Sequence, residues 1–430
     1  MIKDFIEQHW NSNRLLLGNG SSRFMTEMEY PMYLYSYPSN KRVMTWRIPE
    51  EWVVREAYIK DEQGNRYLDY NDDPLHLVAY STPIDKWVDW TELEGHLYWN
   101  TSGYNEAGYS IPWEFKYYER DWGFCCTEEW WDCADRHRKY HVVIDAEYKQ
   151  GTMLVGELQL GNIGVSDLVI MSHYDHPYQA NDGLSGVAVA LEVYRRLIAD
   201  PPNWFSGVRF LFVPETIGSI AYFSDHDYTN ISGGLFLDAC GNGQSVLNYQ
   251  TSSMWSVVDD VIKMVLKEHY ETSYGTEHPY NFFNIKGRGE IPGNDEIVLC
   301  SLGIPCVALN RFPYPQYHTS ADTINIIDEG KLQEVADITE DMVRMYCTNY
   351  KPLKKYEGIP FLSGYGLWVD WRKDKELNSK IEEIFMRFDG KQTISRIADD
   401  LDMDYWVVRG VVDDFRTAGL IEAVPITKED

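Results

Sequence analysis

Short apolar runs alternate with helically spaced apolar positions through the middle of the chain. DLVIMS (167–172), VRFLFVP (208–214), GGLFLDAC (233–240) and IPCVALN (304–310) have the length and near-continuous hydrophobicity of strands buried on both faces. Between and after them the spacing changes. Val187, Ala190, Leu191, Val193, Tyr194 and Leu197 repeat at helical intervals, as do the apolar positions of 252–270 and 332–350. This alternation predicts an α/β domain on a mixed, mostly parallel sheet with helices on both faces.

The flanks differ. Residues 1–40 start with a helix-like segment (Phe5, Ile6, His9, Trp10) and pass through a Gly-Asn-Gly-Ser-Ser loop signal. From 41 to 112 the apolar period falls to two, as at Val53, Ala57 and Ile59, with turn chemistry at Asp61 to Asn65. These residues are expected to form an inserted β-rich accessory domain, with tryptophans 46, 52, 87, 90 and 99 serving its core. The alternating runs on either side of Lys149-Gln150-Gly151 read as a hairpin flanking the main sheet, which assigns 1–40 and 113–350 to the α/β domain. After a basic Pro/Gly linker, residues 358–430 offer three helices and a terminal strand-like stretch, a winged-helix-like order. Their third helix sets Asp404, Asp413 and Asp414 against Arg409 and Arg416, so it suits docking or self-association better than DNA.

Charge narrows the partners. Sixty-seven acidic against 39 basic residues give a net charge of -28, a field that repels nucleic acid and anionic membranes. The first ten residues contain no signal-type apolar region, and no stretch approaches the 18 or so apolar residues that span a bilayer, so a cytosolic protein is expected. The seven cysteines lack zinc-ribbon spacings and are expected to be reduced, mostly buried thiols.

The chemistry collects at the carboxyl ends of the expected strands, where open α/β sheets bind ligands. The first strand runs into His173, Asp175, His176 and Asp182, the second into Glu215, the third into Asp238, and the last leads to His318 and Asp322. Imidazoles and carboxylates converging from successive strand ends are what zinc requires, with one position left for water. Arg288, Asp295, Glu296 and Arg311, in the segments leading to His318, are candidates for holding a substrate amine or carboxylate.

The order of these motifs resembles the zinc aminopeptidases of the bacterial leucyl aminopeptidase type, whose fold glutaminyl cyclases share. It runs from a histidine and Asn-Asp-x-x-Ser-Gly, through Glu before Gly-Ser and Asp after a strand, to His-Thr-Ser-x-Asp. WRIPEEW, HPYQANDGLSG, PETIGS and YHTSADT further resemble a bacterial aminopeptidase-like group with an inserted β-rich domain and a C-terminal winged helix. The resemblance implies an aminopeptidase acting on a peptide or small amide. Asp182 would bridge two metal positions, Asp238 and His318 would be the terminal ligands, and Glu215 the general base. Asp175 and Asp322 would orient the ligand histidines, Asp322 from behind His318. His173-x-Asp175 matches the aminopeptidase pattern and His176-Pro177 that of the closer group, so both histidines stay candidates. Thr216 departs from the family, which carries a second, ligating glutamate there. One tight zinc, on the His/Asp182/Asp238 side, is therefore expected, with a second site weak or empty. The same residues would also suit a zinc amidase, deacylase or cyclase on a small or carbohydrate-linked amide, or a non-catalytic scaffold on a degenerate peptidase fold. The accessory parts are candidate surfaces for homo-oligomer formation.

Overall fold

The computed structural model describes residues 1–99, 109–252, 255–275, 282–287 and 289–430. Its centre is an eight-stranded mixed sheet. The strand order is Tyr33–Pro38, Thr152–Gly161, Gly207–Val213, Asp167–His173, Ile231–Leu237, Cys306–Asn310, Leu247–Gln250 and Phe283–Lys286. The middle four strands are parallel, and antiparallel pairings on both sides make the sheet mixed. All four of the apolar runs expected as strands lie in this parallel centre.

The central strand shows why such runs fit. Successive side chains of a strand point to opposite faces. Leu168 and Ile170 enter one hydrophobic cluster, while Val169 and Met171 enter another. The first cluster is covered by the helices Ile2–His9, Leu184–Ala199, Val257–Tyr274 and Glu329–Thr348, and the second by Ile217–Asp225 and Asp295–Ser301. Helices on both faces exclude any polar alternation from the strand.

A second, four-stranded sheet orders Arg66–Tyr67, Glu51–Lys60, Tyr140–Lys149 and Ile84–Val88. Two sequence expectations change here. The runs around Lys149 to Gly151 do form strands, but they are not a hairpin. Tyr140–Lys149 pairs with Glu51–Lys60 and Ile84–Val88, whereas Thr152–Gly161 pairs with Tyr33–Pro38 and Gly207–Val213. This sheet therefore reaches beyond the 41–112 bounds drawn from the sequence, because Val142 and Ile144 pack into a core with Trp52, Ala57 and Ile59. Of the accessory tryptophans, Trp52 and Trp90 are buried core residues, but Trp46 and Trp87 stand at the surface.

The C-terminal helices Lys375–Met386, Ile394–Asp400 and Tyr405–Thr417 are followed by Ile421–Val424, which pairs antiparallel with Lys351–Lys354. Ile384, Phe385, Ile397 and Val412 join the same hydrophobic cluster as the central sheet. All seven cysteines are free thiols, five of them buried. Among the described residues no helix is long and apolar enough to cross a membrane.

Candidate metal centre

Each strand of the parallel centre delivers chemistry from its carboxyl end. His173 is the last residue of its strand, Glu215 follows Gly207–Val213, and Asp238 follows Ile231–Leu237. Asp182 lies in the loop that feeds the helix Leu184–Ala199, and His318 in the loop after Cys306–Asn310. The glycines of Asp-Gly-Leu-Ser-Gly make this approach feasible. Gly183 has a φ of 79°, and a Cβ on it would come within 2.8 Å of the His173 ring. A Cβ on Gly186 would stand 2.1 Å from the Leu237 carbonyl oxygen, so only glycine lets the helix seat on the neighbouring strand.

Asp182 is the hub. Its Oδ1 lies 2.9 Å from His176 Nδ1 and 3.4 Å from His173 Nε2, while its Oδ2 lies 3.0 Å from His318 Nε2. His173 Nε2 also lies 3.2 Å from Asp238 Oδ1, and His176 Nε2 lies 3.0 Å from Glu215 Oε2. Both candidate histidines reach Asp182, His173 also facing Asp238 and His176 also facing Glu215. His173, His176 and Asp182 each offer a ligand atom within 4.8 Å of the others. Both histidines and Asp182 are almost completely buried.

The electrostatics of this cluster favour a cation. Burial alone would lower the His173 and His176 pKa values. The carboxylates of Asp238 and Asp175 around His173, and of Asp182 and Glu215 around His176, outweigh it, raising His173 well above the ordinary range and His176 to about 10. Burial pulls the opposite way on Asp182 and Glu215, yet the facing imidazoles hold Asp182 well below, and Glu215 below, the usual carboxylate range. The contacts are nonetheless poorly aligned as hydrogen bonds. His176 Nδ1, Asp182 Oδ2 and His318 Nε2 are buried with no hydrogen-bond partner, despite approaches of 2.9 and 3.0 Å. Lone pairs that converge without satisfying one another fit a divalent ion, and the N/O donor set suits zinc.

Several residues support this geometry. Asp322 is not behind His318. Its carboxylate accepts the backbone N–H groups of Ala180 at 3.2 Å, Asn181 at 2.7 Å and Asp182 at 3.1 Å, and the Tyr314 hydroxyl at 2.8 Å. The reason is topological: the His318 loop turns back so that Asp322 faces the Asn181-Asp182 turn, which it holds as a cap. Asp175 accepts the Glu215 N–H at 2.7 Å and stands 3.7 Å from His173 Nδ1, tying one strand end to the next. Thr216, at a φ of 61°, donates its N–H to Asp295 at 3.0 Å, and the Ser219 hydroxyl donates to the same carboxylate.

The four candidate substrate residues scatter. Asp295 is buried beneath the Thr216 turn, where desolvation raises its pKa to about 8. Arg311 is committed elsewhere, donating to Glu334 at 2.6 Å and to the Ser245 carbonyl at 3.0 Å. Arg288 lies outside the described residues. Glu296 lines a cavity beside Glu215 and Asp238.

Two contributors escaped the sequence reading. Arg14, fully buried, donates to the carbonyls of Tyr174 at 3.0 Å, His176 at 2.7 Å and Gln179 at 2.8 Å. Burial draws its pKa down to about 10, against the pull of Asp175 and Asp322. No motif marks an arginine whose partners are carbonyl oxygens. Trp113 brings the segment before the second sheet's last long strand onto the site, its ring 4.4 Å from that of His176 and 4.9 Å from that of His318, and its backbone N–H donating to the His318 carbonyl at 2.8 Å.

Comparison with known proteins agrees with this architecture. A family model described as "Domain of unknown function (DUF4910)" matches residues 3–349. A Clostridium acetobutylicum protein, described as a polysaccharide biosynthesis protein with an aminopeptidase-like domain, is 29% identical over 344 residues, 77% of this chain and 74% of that protein. A crystal structure from the same organism, described as a peptidase, is 25% identical with a TM-score of 0.77, covering 98% of this chain and 96% of its own. The zinc aminopeptidase BSAP of Bacillus subtilis, 15% identical, superposes with a TM-score of 0.59 over 80% of this chain and 93% of its own, and it shares the fold.

Proposed function

The chain belongs to the family described as Domain of unknown function (DUF4910), and we propose that it is a zinc-dependent amide hydrolase, an aminopeptidase that releases an N-terminal residue from a peptide or aminoacyl amide. The observation that carries the reading is the crowding of three histidines around the buried Asp182, with His176 Nδ1, Asp182 Oδ2 and His318 Nε2 left without hydrogen-bond partners. One ion would be held tightly by Asp182 and Asp238 with His173, with His176 on the same Asp182 oxygen as His173, while His318 faces the other oxygen as part of a second, weaker position. A bound zinc supplies an acidified water and a Lewis acid for the scissile carbonyl.

The rest of the work falls to the chain. Glu215, kept ionised by His176 and placed beside Asp182, takes the proton of the attacking water and returns it to the leaving amine, a contribution of about 100- to 10,000-fold. Asp175 fixes the Glu215 backbone, and Asp322 fixes the Asp182 turn, so both reacting groups are held before substrate arrives. Trp113 covers the His176 and His318 rings and limits solvent at the site.

A second reading, hydrolysis of a carbohydrate-linked amide, is supported by the polysaccharide biosynthesis description of the Clostridium relative. Assaying aminoacyl anilides beside N-acetyl sugars, with zinc or cobalt added, separates the two. Metal-dependent cleavage of the anilides alone supports the aminopeptidase; cleavage of the sugars alone replaces it with the amidase. No turnover of either overturns the hydrolase reading.

A further inference from the structure

Beside Glu215 and Asp238 the sheet opens into a cavity of about 50 Å³. Its floor follows from strand register. Ala308 pairs with Phe236 on one neighbouring strand and with Gln250 on the other, so three strands present a bulky ring, a methyl and a carboxamide in one row. All three line the cavity. The small residue between two larger ones makes the recess.

The recess is polar where a hydrocarbon pocket would not be. Gln250 is 2% exposed, and its Nε2 is buried with no hydrogen-bond partner. Asn310, also in the lining, accepts from Asn248 Nδ2 at 3.0 Å through its Oδ1, a second carboxamide in the wall. A buried amide donor without a partner costs stability unless a ligand supplies the acceptor. The rim, by contrast, is acidic, with Glu215, Asp238 and Glu296. An anionic group would meet three carboxylates on entry.

We propose that this cavity receives the side chain next to the scissile carbonyl, and that it selects a short, uncharged side chain bearing a hydrogen-bond acceptor, a carboxamide or hydroxyl, over an aliphatic one of equal size. The assignment rests on the amide-hydrolase reading above. Asparagine and leucine side chains are close in shape and differ chiefly in polarity, so the pair isolates the contribution of Gln250. A site built around hydrogen bonds discriminates strongly against an analogue that lacks them.

The test is binding of amino-acid hydroxamates, which chelate zinc, to the zinc-loaded protein by calorimetry. L-Asparagine hydroxamate should bind at least about tenfold more tightly than L-leucine hydroxamate, and L-aspartate α-hydroxamate more weakly than the asparagine compound. Gln250→Leu should erase or invert the asparagine-to-leucine ratio at unchanged zinc content, and Ala308→Leu should weaken both by closing the recess. Equal or tighter leucine binding by the wild-type protein overturns the proposal, as does an unaltered ratio in a folded Gln250→Leu, or no binding of either compound. The wild-type ratio decides even where a variant fails to fold. Selective binding without cleavage of asparaginyl anilide would leave the cavity's side-chain preference standing and overturn the aminopeptidase reading alone.

Discussion

The strand Asp167–His173 begins and ends in buried charge, and its two ends are built differently. At the start, Asp167 receives Arg209 Nε at 2.7 Å and the Gly164 N–H at 2.7 Å. The same guanidinium reaches Glu157 at 2.9 Å, which also accepts the Tyr35 hydroxyl at 2.7 Å and the Gln159 amide at 2.8 Å. Every charge there has a fixed complement within the chain. At the far end, three histidines crowd around Asp182 with Asp238 and Glu215, and buried nitrogen and oxygen atoms remain unpaired. Both ends carry the desolvation cost of buried ions and set opposite charges against each other, but of the two only the second leaves buried polar atoms without a hydrogen bond. Buried charge by itself does not set the two ends apart; the unpaired buried atoms do.

Substitutions at the two ends should separate these roles. The largest effect is expected from Asp182→Ala, which removes the carboxylate facing all three histidines. Zinc should be lost from the dialysed protein with the circular dichroism unchanged, and wild-type metal content would show that the unpaired end is not a metal site. Next comes Glu215→Gln, expected to keep zinc while losing about 100- to 10,000-fold in kcat toward whichever amide proves to be cleaved. Zinc loss in that variant would make Glu215 a ligand.

At the paired end the readout changes from metal to stability. Arg209→Met strands Asp167 and Glu157, and should destabilise the fold by about 3–5 kcal/mol in denaturant titration while zinc affinity stays within twofold. A change in metal affinity there would break the contrast. Arg14→Met sits between the two classes: stability should fall by about 1–3 kcal/mol as buried carbonyls lose their donor, and zinc affinity by about tenfold as the loop loosens. The smallest effect is expected at Thr216, whose β-branched side chain is held at a φ of 61°. Thr216→Gly should gain about 1 kcal/mol by releasing that conformation, readable as a raised midpoint in the same titration.

The legible parts of this molecule are those whose signal is local. Apolar runs announced the parallel strands, and each run was followed within a loop by its histidine or carboxylate, so His173, Asp182, Glu215 and Asp238 stood out together. Pairing was not local. A two-residue period says that Tyr140–Lys149 and Thr152–Gly161 are strands but not which neighbours they take, and the turn between them was read as a hairpin when it carries the chain from one sheet to the other. The partners of lone charges were equally hidden. Arg311 looked available for substrate until Glu334 met it, Asp322 looked like a histidine's partner until the 180–182 amides claimed it, and Arg14 had no signal at all.

Arg14 also sets a timetable. Its acceptors come in two groups, the His9 and Trp10 carbonyls close by and the Tyr174, His176 and Gln179 carbonyls at least 160 residues later. On a ribosome adding about 5–20 residues per second, that gap is roughly 10 to 30 seconds during which the leading segment has no loop to hold. Tyr33–Pro38 waits in the same way for Thr152–Gly161. The loop from Tyr174 to Gln179 can therefore be clamped only after the intervening four-stranded sheet has been synthesised, and shorter nascent chains lack the carbonyls that Arg14 holds.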